Sequence, residues 1–243
     1  MEIPKKISPC PITEAIVEMR FKSKVPEEAI FGVLYSEFKS DFPEVEKLPI
    51  LQIPEHFRSN DPNLIHKPWY KLKNNDKYII QIGPRMFSLI NVGEYVGWID
   101  FSSKIKDVFG RLINTLAIEN FVRIGLRYIN VFQDKNIFKD SNLNIELNGK
   151  SLTDNEINII TVLPYEYCMQ KLIIINPANV EAEGIIKNGS VIDIDTFLKE
   201  CPIECGKSID LLMECINNAH EEEKQLFFSL LSMEMIKSLN PKY

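Results

Sequence analysis

The alternation of apolar and polar residues in Phe121–Phe132 predicts a strand with two different faces. Arg123, Gly125 and Arg127 lie on one face, whereas Tyr128 belongs to the other, mainly apolar face. A strand this rich in aromatic and β-branched residues is expected to be well buried. Its two guanidinium groups must therefore be neutralised by carboxylates, by a ligand or by solvent.

A second alternating segment, Ile12–Phe21, predicts a strand that carries Glu14 and Glu18 on one face. If this strand pairs with the arginine strand, the two glutamates can form cross-strand ion pairs with Arg123 and Arg127. One interpretation is a structural charge ladder that satisfies itself on a sheet face. The other is a site for an anion or another polar ligand, lined by both arginines and oriented by the glutamates.

The other patterns of the first half predict two helices, a hairpin and a surface excursion. Pro26 and the acidic residues after it begin a helix that ends before Pro43. The stretch from Pro43 to Trp69 contains five prolines and little periodicity, which is typical of a segment that runs over the surface. Strands follow at Tyr78–Ile82 and Met86–Val92, joined by Gly83–Pro84, and a later helix carries Ile105, Val108, Phe109, Leu112, Ile113 and Leu116 on one face.

The second half predicts four antiparallel strands and then two helices. These elements span Asn158–Leu163, Gln170–Asn176, Val180–Lys187, Ser190–Thr196, Ser208–Ala219 and Glu222–Leu239. The dipeptide Asn188–Gly189 is preferred in two-residue type I′ turns, so it is predicted to join the last two strands. His220 is then expected to lie at the boundary between the two helices.

Strands that are joined by hairpins and interrupted by isolated long helices predict an α+β fold, in which antiparallel sheets grip the helices. The similar order in both parts of the chain favours two pseudo-duplicated β-α-β halves, residues 1–135 and 136–243, within one compact body. With 243 residues and 45% hydrophobic content, the chain is long enough to bury a substantial core.

Two carboxylates alternate along the last predicted strand, at Asp193 and Asp195. With a turn at Asn188–Gly189, these residues would face Gly184 and Ala182, two small residues that leave room above them. A hydrated divalent cation, which prefers oxygen ligands, would fit such a space. An acidic edge that faces solvent is the other interpretation of the same pattern.

Composition excludes several classes of protein. A net charge of −6 disfavours a nucleic-acid-binding protein that depends on a broad basic surface, although a local basic groove stays open. The five cysteines form no C-x-x-C pair and the three histidines lack metal-ligand spacing, so neither a disulfide framework nor zinc chemistry is indicated. No apolar run approaches the roughly 18 residues of a membrane span. We therefore expect a soluble, cytoplasmic protein with no membrane partner and no resident cofactor.

The motifs at the start and centre of the chain resemble those of a prokaryotic family to which no activity is assigned. The family is sporadically distributed and is defined by an opening proline-aliphatic-x-glutamate-alanine strand and a central arginine-x-glycine-leucine-arginine-tyrosine-isoleucine-asparagine strand. Here these motifs are Pro11–Ala15 and Arg123–Asn130. The family's late aspartate-x-aspartate strand is similar to Asp193–Asp195, and its closing helix is similar in His220 and Phe227. The resemblance implies genes that occur near mobile elements and defence systems.

The resemblance extends through the middle of the chain, where it covers Ile80–Ile82, Phe87, Tyr95 and Trp98. The chain departs from the family near Ile90–Asn91, because the family has asparagine-tryptophan there. A site that uses this tryptophan is therefore not implied.

Together the patterns favour a non-enzymatic intracellular binding or interaction protein with a groove for a small polar ligand or a protein partner; a homodimer also stays open. The first alternative is a metal-dependent enzyme that acts on nucleotides or phosphoesters, with an arginine on the phosphate and a divalent cation as its only cofactor. The second is single-strand nucleic-acid binding. The candidate ligand-binding residues are Arg123, Arg127, Tyr128, Glu14 and Glu18, and the candidate metal ligands are Asp193 and Asp195.

Two requirements distinguish these hypotheses. The enzyme hypothesis requires the two aspartates to lie within reach of the central arginines in one cleft. The ligand hypothesis requires the arginines to line a cavity with unused hydrogen-bonding capacity.

Overall fold

The computed structural model describes residues 2–74, 77–115, 117–182, 185–202 and 206–243. Its main feature is one antiparallel sheet of nine strands that is covered by helices on one face, which confirms the predicted α+β class. The strands of both halves therefore belong to a single large sheet, beside which there is one short two-stranded sheet.

The large sheet joins strands from the whole length of the chain. Its nine strands are β1 (Ile12–Lys22), β2 (Glu44–Lys47), β3 (Tyr70–Lys73), β4 (Tyr78–Gly83), β5 (Met86–Val92), β6 (Asn120–Gln133), β9 (Ile157–Pro164), β10 (Cys168–Ala182) and β11 (Ile185–Leu198), and the separate small sheet consists of β7 (Glu146–Leu147) and β8 (Lys150–Ser151). Their order in the sheet is β2-β3-β4-β5-β1-β6-β11-β10-β9. Because β6 pairs with β11, the sheet runs across the predicted boundary at residues 135 and 136.

Three long helices form a layer on one face of the sheet. The helices are α1 (Glu27–Phe38), α2 (Glu55–Asn60), α3 (Trp98–Ile113), α4 (Ile137–Asp140), α5 (Ile209–Leu230) and α6 (Met233–Ser238). The apolar stripes of α1, α3 and α5, with Leu34, Phe109 and Ile216, share one buried core with Val17 and Leu126 of the central strands. The predicted stripe of α3 is confirmed from Ile105 to Leu112, while Leu116 lies outside the described residues.

A second core lies under the end of α5 and under α6. Phe227 and Ile236 pack there against Ile192 and Ile194 of β11, and Phe132 of β6 stacks on Phe227 with ring centroids 6.4 Å apart. The residues of both cores point to the helix layer. The opposite side of β1, β6, β9, β10 and β11, which we call the open face, belongs to neither core.

The predicted pairing of the two central strands is confirmed. β1 and β6 are antiparallel, with Glu18 opposite Gly125 and Arg20 opposite Arg123. The predicted alternation is also confirmed, because Leu126 and Tyr128 are buried under the helix layer whereas Arg127 is half-buried on the open face. β4 and β5 form the predicted hairpin.

The predicted turn at Asn188–Gly189 is wrong. β10 and β11 are two long strands that pair from Cys168 and Leu198 to Ala182 and Ile185, with one irregularity after Ile175. Asn188 and Gly189 therefore lie within β11, and the predicted break between two strands does not occur there.

A glycine is needed at position 189 because β11 approaches β6 closely there, and not because the chain turns. A Cβ atom at Gly189 would lie 2.4 Å from the carbonyl oxygen of Phe132 in β6, which is far inside van der Waals contact. The consequence for the aspartates is a different register: Asp193 is opposite Ile173, and Asp195 is opposite Lys171. The predicted neighbours were Ala182 and Gly184, of which Gly184 lies outside the described residues.

The predicted boundary between two C-terminal helices at His220 is also wrong. α5 runs without interruption from Ile209 to Leu230 and begins at Ser208, whose hydroxyl accepts a hydrogen bond from the Leu211 amide at 3.4 Å. No glycine or proline interrupts this segment, so the three glutamates after His220 do not end the helix. His220 is therefore carried on the covered side of a continuous helix.

The excursion between Pro43 and Trp69 contains secondary structure of its own. It contains β2, a 3₁₀ turn at Pro49–Gln52 and α2. The prolines occupy positions that suit them, since Pro49 opens the 3₁₀ turn and Pro54 precedes the first residue of α2. Within the described part of the chain, no helix has both the length and the apolar composition that crossing a membrane requires.

Candidate functional site

Arg123 lies flat across β6 because the next residue on its face is glycine. A Cβ atom at Gly125 would lie 2.6 Å from the Arg123 Nη1 atom, so any larger residue would displace the guanidinium. In this position the guanidinium carbon lies 4.6 Å from the ring centroid of Phe197, which is the register partner of Gly125 on β11. The arginine-x-glycine pattern thus forms a shallow groove in which a planar cation stacks on an aromatic ring.

The same guanidinium joins three strands through ion pairs. Its Nη2 donates to both carboxylate oxygens of Asp195 on β11, at 2.8 and 2.6 Å, and its Nη1 donates to Glu18 on β1 at 3.1 Å. Glu18 also accepts from the Nε of Arg20 at 2.9 Å. Arg123 is therefore held by carboxylates on both of its neighbouring strands.

Arg127 has a separate partner. Its Nε and Nη2 donate to the two oxygens of Asp193 at 2.7 and 2.6 Å, which is the bidentate geometry that suits a planar guanidinium. Only 8% of the Asp193 side chain is exposed, compared with 39% for Arg127. The hydrogen bonds that Arg127 donates to Asp193 raise the pKa of Arg127 above its usual value.

The arrangement confirms one half of the predicted glutamate ladder. Glu18 does pair with Arg123. The other carboxylate partners are aspartates of β11, since Asp195 pairs with Arg123 and Asp193 pairs with Arg127. Among the described residues, Glu14 has no ion pair, although it is close enough to Arg127 to act on its charge. We call Glu18, Arg20, Arg123, Arg127, Asp193 and Asp195 the charge ladder.

The two aspartates lie close to the central arginines, but their oxygens already accept hydrogen bonds from them. Both lie within hydrogen-bonding distance of a central arginine, as the enzyme hypothesis requires. Both are also fully engaged by those arginines. In the described ranges, no group of three or more His, Cys, Asp and Glu side chains is arranged to hold a metal ion.

Tyr128 lies apart from the arginines, on the helix-covered face of the same strand. Its hydroxyl is 3.2 Å from the Tyr95 hydroxyl and 3.0 Å from the Nδ1 atom of His220. Trp98, at the start of α3, stacks on the His220 ring with centroids 3.8 Å apart and planes 7° from parallel. The predicted grouping of Tyr128 with the arginines is therefore wrong, because the pleat points it to the opposite side of the sheet.

Burial makes this second cluster electrically neutral. It lowers the pKa of His220 to about 4, with a further contribution from Lys224, so the imidazole is uncharged at neutral pH. Burial also raises the pKa values of Tyr95 and Tyr128, and the nearby carboxyl of Glu223 adds to that effect. We call Tyr95, Trp98, Tyr128, His220 and Glu223 the covered cluster.

Glu223 is the unusual member of the covered cluster. It lies one helical turn after His220, is buried, and has no hydrogen-bond partner within the described part of the chain. Burial raises the pKa of its carboxyl well above the ordinary range, so the protonated form is favoured. Sequence reasoning missed this cluster, because the i, i+3 spacing of His220 and Glu223 places them together only on an uninterrupted helix.

The open face carries apolar side chains as well as the charge ladder. On the second half of the sheet these side chains surround the ladder and are half-buried or exposed, and they are Ile16, Ile129, Val131, Ile160, Val162, Ile173, Ile175 and Val191. A sheet face that meets only water normally presents polar side chains. Apolar residues that belong to neither of the described cores are therefore the second feature of this face.

A depression of about 510 Å³ lies between the loop that follows β6, the loop that precedes β9 and the paired strands β10 and β11. It is lined mostly by amides and carboxylates, among them Asp134, Asn136, Glu156 and Asn188. Neither central arginine borders it. The central arginines therefore do not line this depression, although Arg127 keeps an Nη1 atom that donates to no described residue.

No model of a protein family matches the chain, and no curated protein is significantly similar to it.

Proposed function

We propose that the protein is a non-enzymatic, cytoplasmic interaction protein that binds a protein partner on the open face of its sheet. The observation that carries this proposal is the set of isoleucines and valines on that face, which belong to neither buried core. Two of them are largely exposed, Ile160 by 62% and Val162 by 47%. Contiguous apolar surface that water would otherwise cover is typical of a binding surface.

The charge ladder supports binding more than catalysis. Its carboxylates accept hydrogen bonds from arginines on the same face, so none is free to act as a base, a nucleophile or a metal ligand. Paired charges that are fixed before a partner arrives lose little side-chain entropy on binding. The ladder therefore serves as a rigid polar strip between apolar regions.

Arg127 defines the chemistry that the partner needs. Its Nη1 atom donates to no described residue, while Nε and Nη2 hold Asp193. The fitting partner is a protein segment that lays apolar side chains on the isoleucines and offers one carboxylate or carbonyl oxygen to Arg127. This combination of an apolar contact and an arginine anchor is common in protein interfaces.

A photo-crosslinker placed on each face tests the proposal in cells. Lys171 is exposed on the open face of β10, and Leu211 is exposed on α5 in the helix layer. A crosslinking amino acid at Lys171 should give a covalent adduct with another protein, and the same amino acid at Leu211 should not. Ile173→Asp, beside the crosslinker, should abolish the adduct. Equal adducts from both faces, or none from the open face, would contradict the proposal.

We also propose membership in the sporadically distributed prokaryotic family that the motifs resemble. What supports it is that the shared motif residues act together: Arg123 lies over Gly125 and donates to Asp195, and Tyr128 meets His220. Residues that are distant in sequence but recur in one pattern are expected to be in contact. A survey of the genes beside the coding sequence tests the implied association with mobile elements and defence systems, which predicts recombinases or defence genes there.

A further inference from the structure

The two edges of the large sheet differ in how they are protected. β2 forms one edge and consists of Glu44, Val45, Glu46 and Lys47, so three of its four side chains are charged. β9 forms the other edge and contains no charged residue over its eight positions. Charged side chains are the usual means by which proteins keep sheet edges from pairing. β9 therefore lacks the protection that β2 has.

The outer side of β9 is open to another strand. β9 pairs with β10 alone, from Ile157 to Pro164, and no other described residue forms a hydrogen bond with the backbone of Asn158–Leu163. Both rows of its side chains are accessible to some degree, since Ile160 and Val162 are exposed on the open face and Ile159 and Leu163 are half-buried on the other. Unpaired backbone groups between apolar side chains form a template for strand addition.

We infer that β9 pairs antiparallel with β9 of a second copy of this chain and so joins two sheets into one of eighteen strands. A two-fold axis perpendicular to the sheet relates two antiparallel edges and keeps both helix layers on the same side. Opposed residues then share a face, so their residue numbers must add to an even number. The inference does not depend on the partner proposed for the open face.

One register makes β9 complementary to itself. When the numbers add to 322, Ile160 is opposite Val162 of the second copy, Ile159 is opposite Leu163, and Thr161 lies on the axis opposite its own copy. These central contacts join apolar side chains or threonines, which are favourable cross-strand pairs, and Asn158 is opposite Pro164 at their ends. The same operation on β2 about Val45 would place Glu44 opposite Glu46, which is a repulsive pair. Self-pairing therefore suits β9 and not β2.

Light scattering and native mass spectrometry over a range of protein concentrations test the inference. We expect a dimer whose fraction rises with concentration in the intact protein. Ile160→Lys should make the protein monomeric. Leu147→Lys is the matched control, because Leu147 is also 62% exposed but lies on the separate β7–β8 sheet. At a low concentration, where the parent is itself monomeric, both variants should keep the thermal unfolding midpoint of the parent, since both positions are exposed.

A cysteine on the axis tests the register. In a Cys10→Ser background, which removes the exposed thiol among the described cysteines, Thr161→Cys should form an intermolecular disulfide under mild oxidation. Asn158→Cys, which would face Pro164, should not. A protein that stays monomeric at all concentrations, a dimer that survives Ile160→Lys, or equal crosslinking at both positions would overturn the inference.

Discussion

The two faces of β6 accommodate polar side chains in opposite ways. On the open face, Arg123 and Arg127 stay charged and each is held by a carboxylate of β11. On the covered face, Tyr128 and His220 form a neutral network, and Glu223 has no described partner. Partial contact with solvent makes paired charge tolerable on one side, whereas complete burial suppresses charge on the other. One strand therefore carries both a charged surface element and a titratable buried one.

The largest loss of stability is expected from a substitution that forces β11 away from β6. Gly189→Ala places a Cβ atom against the backbone carbonyl of Phe132, which cannot move independently of its strand. We expect a loss of about 3 kcal/mol in the free energy of unfolding, measured by urea denaturation. Gly32→Ala in α1, where nothing lies within 4 Å, is the control and should stabilise the protein by about 1 kcal/mol. Similar losses in both variants would disprove the close approach.

Protonation of His220 should destabilise the folded protein. Because its folded-state pKa is lowered from 6.5 to about 4, the folded state prefers the neutral imidazole. Stability is therefore complete above pH 6.5 and is lost as the pH falls toward 4, by about 3 kcal/mol in total. His220→Gln should remove this dependence, which chemical denaturation at pH 7 and pH 4.5 will measure. An unchanged pH dependence in the variant would contradict the burial of a neutral histidine.

Loss of the bidentate ion pair should weaken the open face. Asp193→Asn keeps the shape of the side chain but removes the charge that both Arg127 nitrogens bind. We expect a loss of about 2 kcal/mol in the free energy of unfolding, moderated by the exposure of Arg127. Glu14→Gln is the matched control on the same face and should change stability by less than about 0.5 kcal/mol. If both substitutions cost the same, the ladder is not held as described.

Glu223 should have the opposite pH dependence to His220, because ionisation of its buried carboxyl destabilises the folded protein as the pH rises. Its pKa is raised in the folded state, so the stability associated with its protonated form is complete below its unfolded value of 4.5 and is lost as the pH rises. Glu223→Gln cannot ionise, and we expect it to stabilise the protein by on the order of 1 to 2 kcal/mol at pH 8. Thermal unfolding of both proteins should show little difference at pH 4. A destabilised variant at pH 8 would reveal a partner for the carboxylate.

The sequence predicted the elements whose periodicity is local. The alternation in β1 and β6 and the stripe of α3 identified the strands, the helix and the pairing at the centre of the fold. The alternation of Arg123 and Arg127 with Tyr128 also separated the two faces, although the candidate site then combined them.

The errors concern features that depend on contacts between distant segments. Asn188–Gly189 has the composition of a turn, but its glycine is needed where β11 approaches Phe132. The spacing of Asp193 and Asp195 indicated two carboxylates on one face, but their partners depend on which strand lies beside β11. His220 and Glu223 required a continuous α5, which the polar run after His220 did not indicate.

The glycine of the arginine-x-glycine motif leaves the space in which Arg123 reaches Asp195. A double-mutant cycle of Gly125→Ala and Arg123→Ala measures this coupling directly by urea denaturation. We predict that Gly125→Ala costs about 1 kcal/mol in the parent protein, because it displaces the guanidinium from Asp195 and Phe197. In the Arg123→Ala background the same change should be neutral or slightly stabilising. An equal cost in both backgrounds would contradict the account.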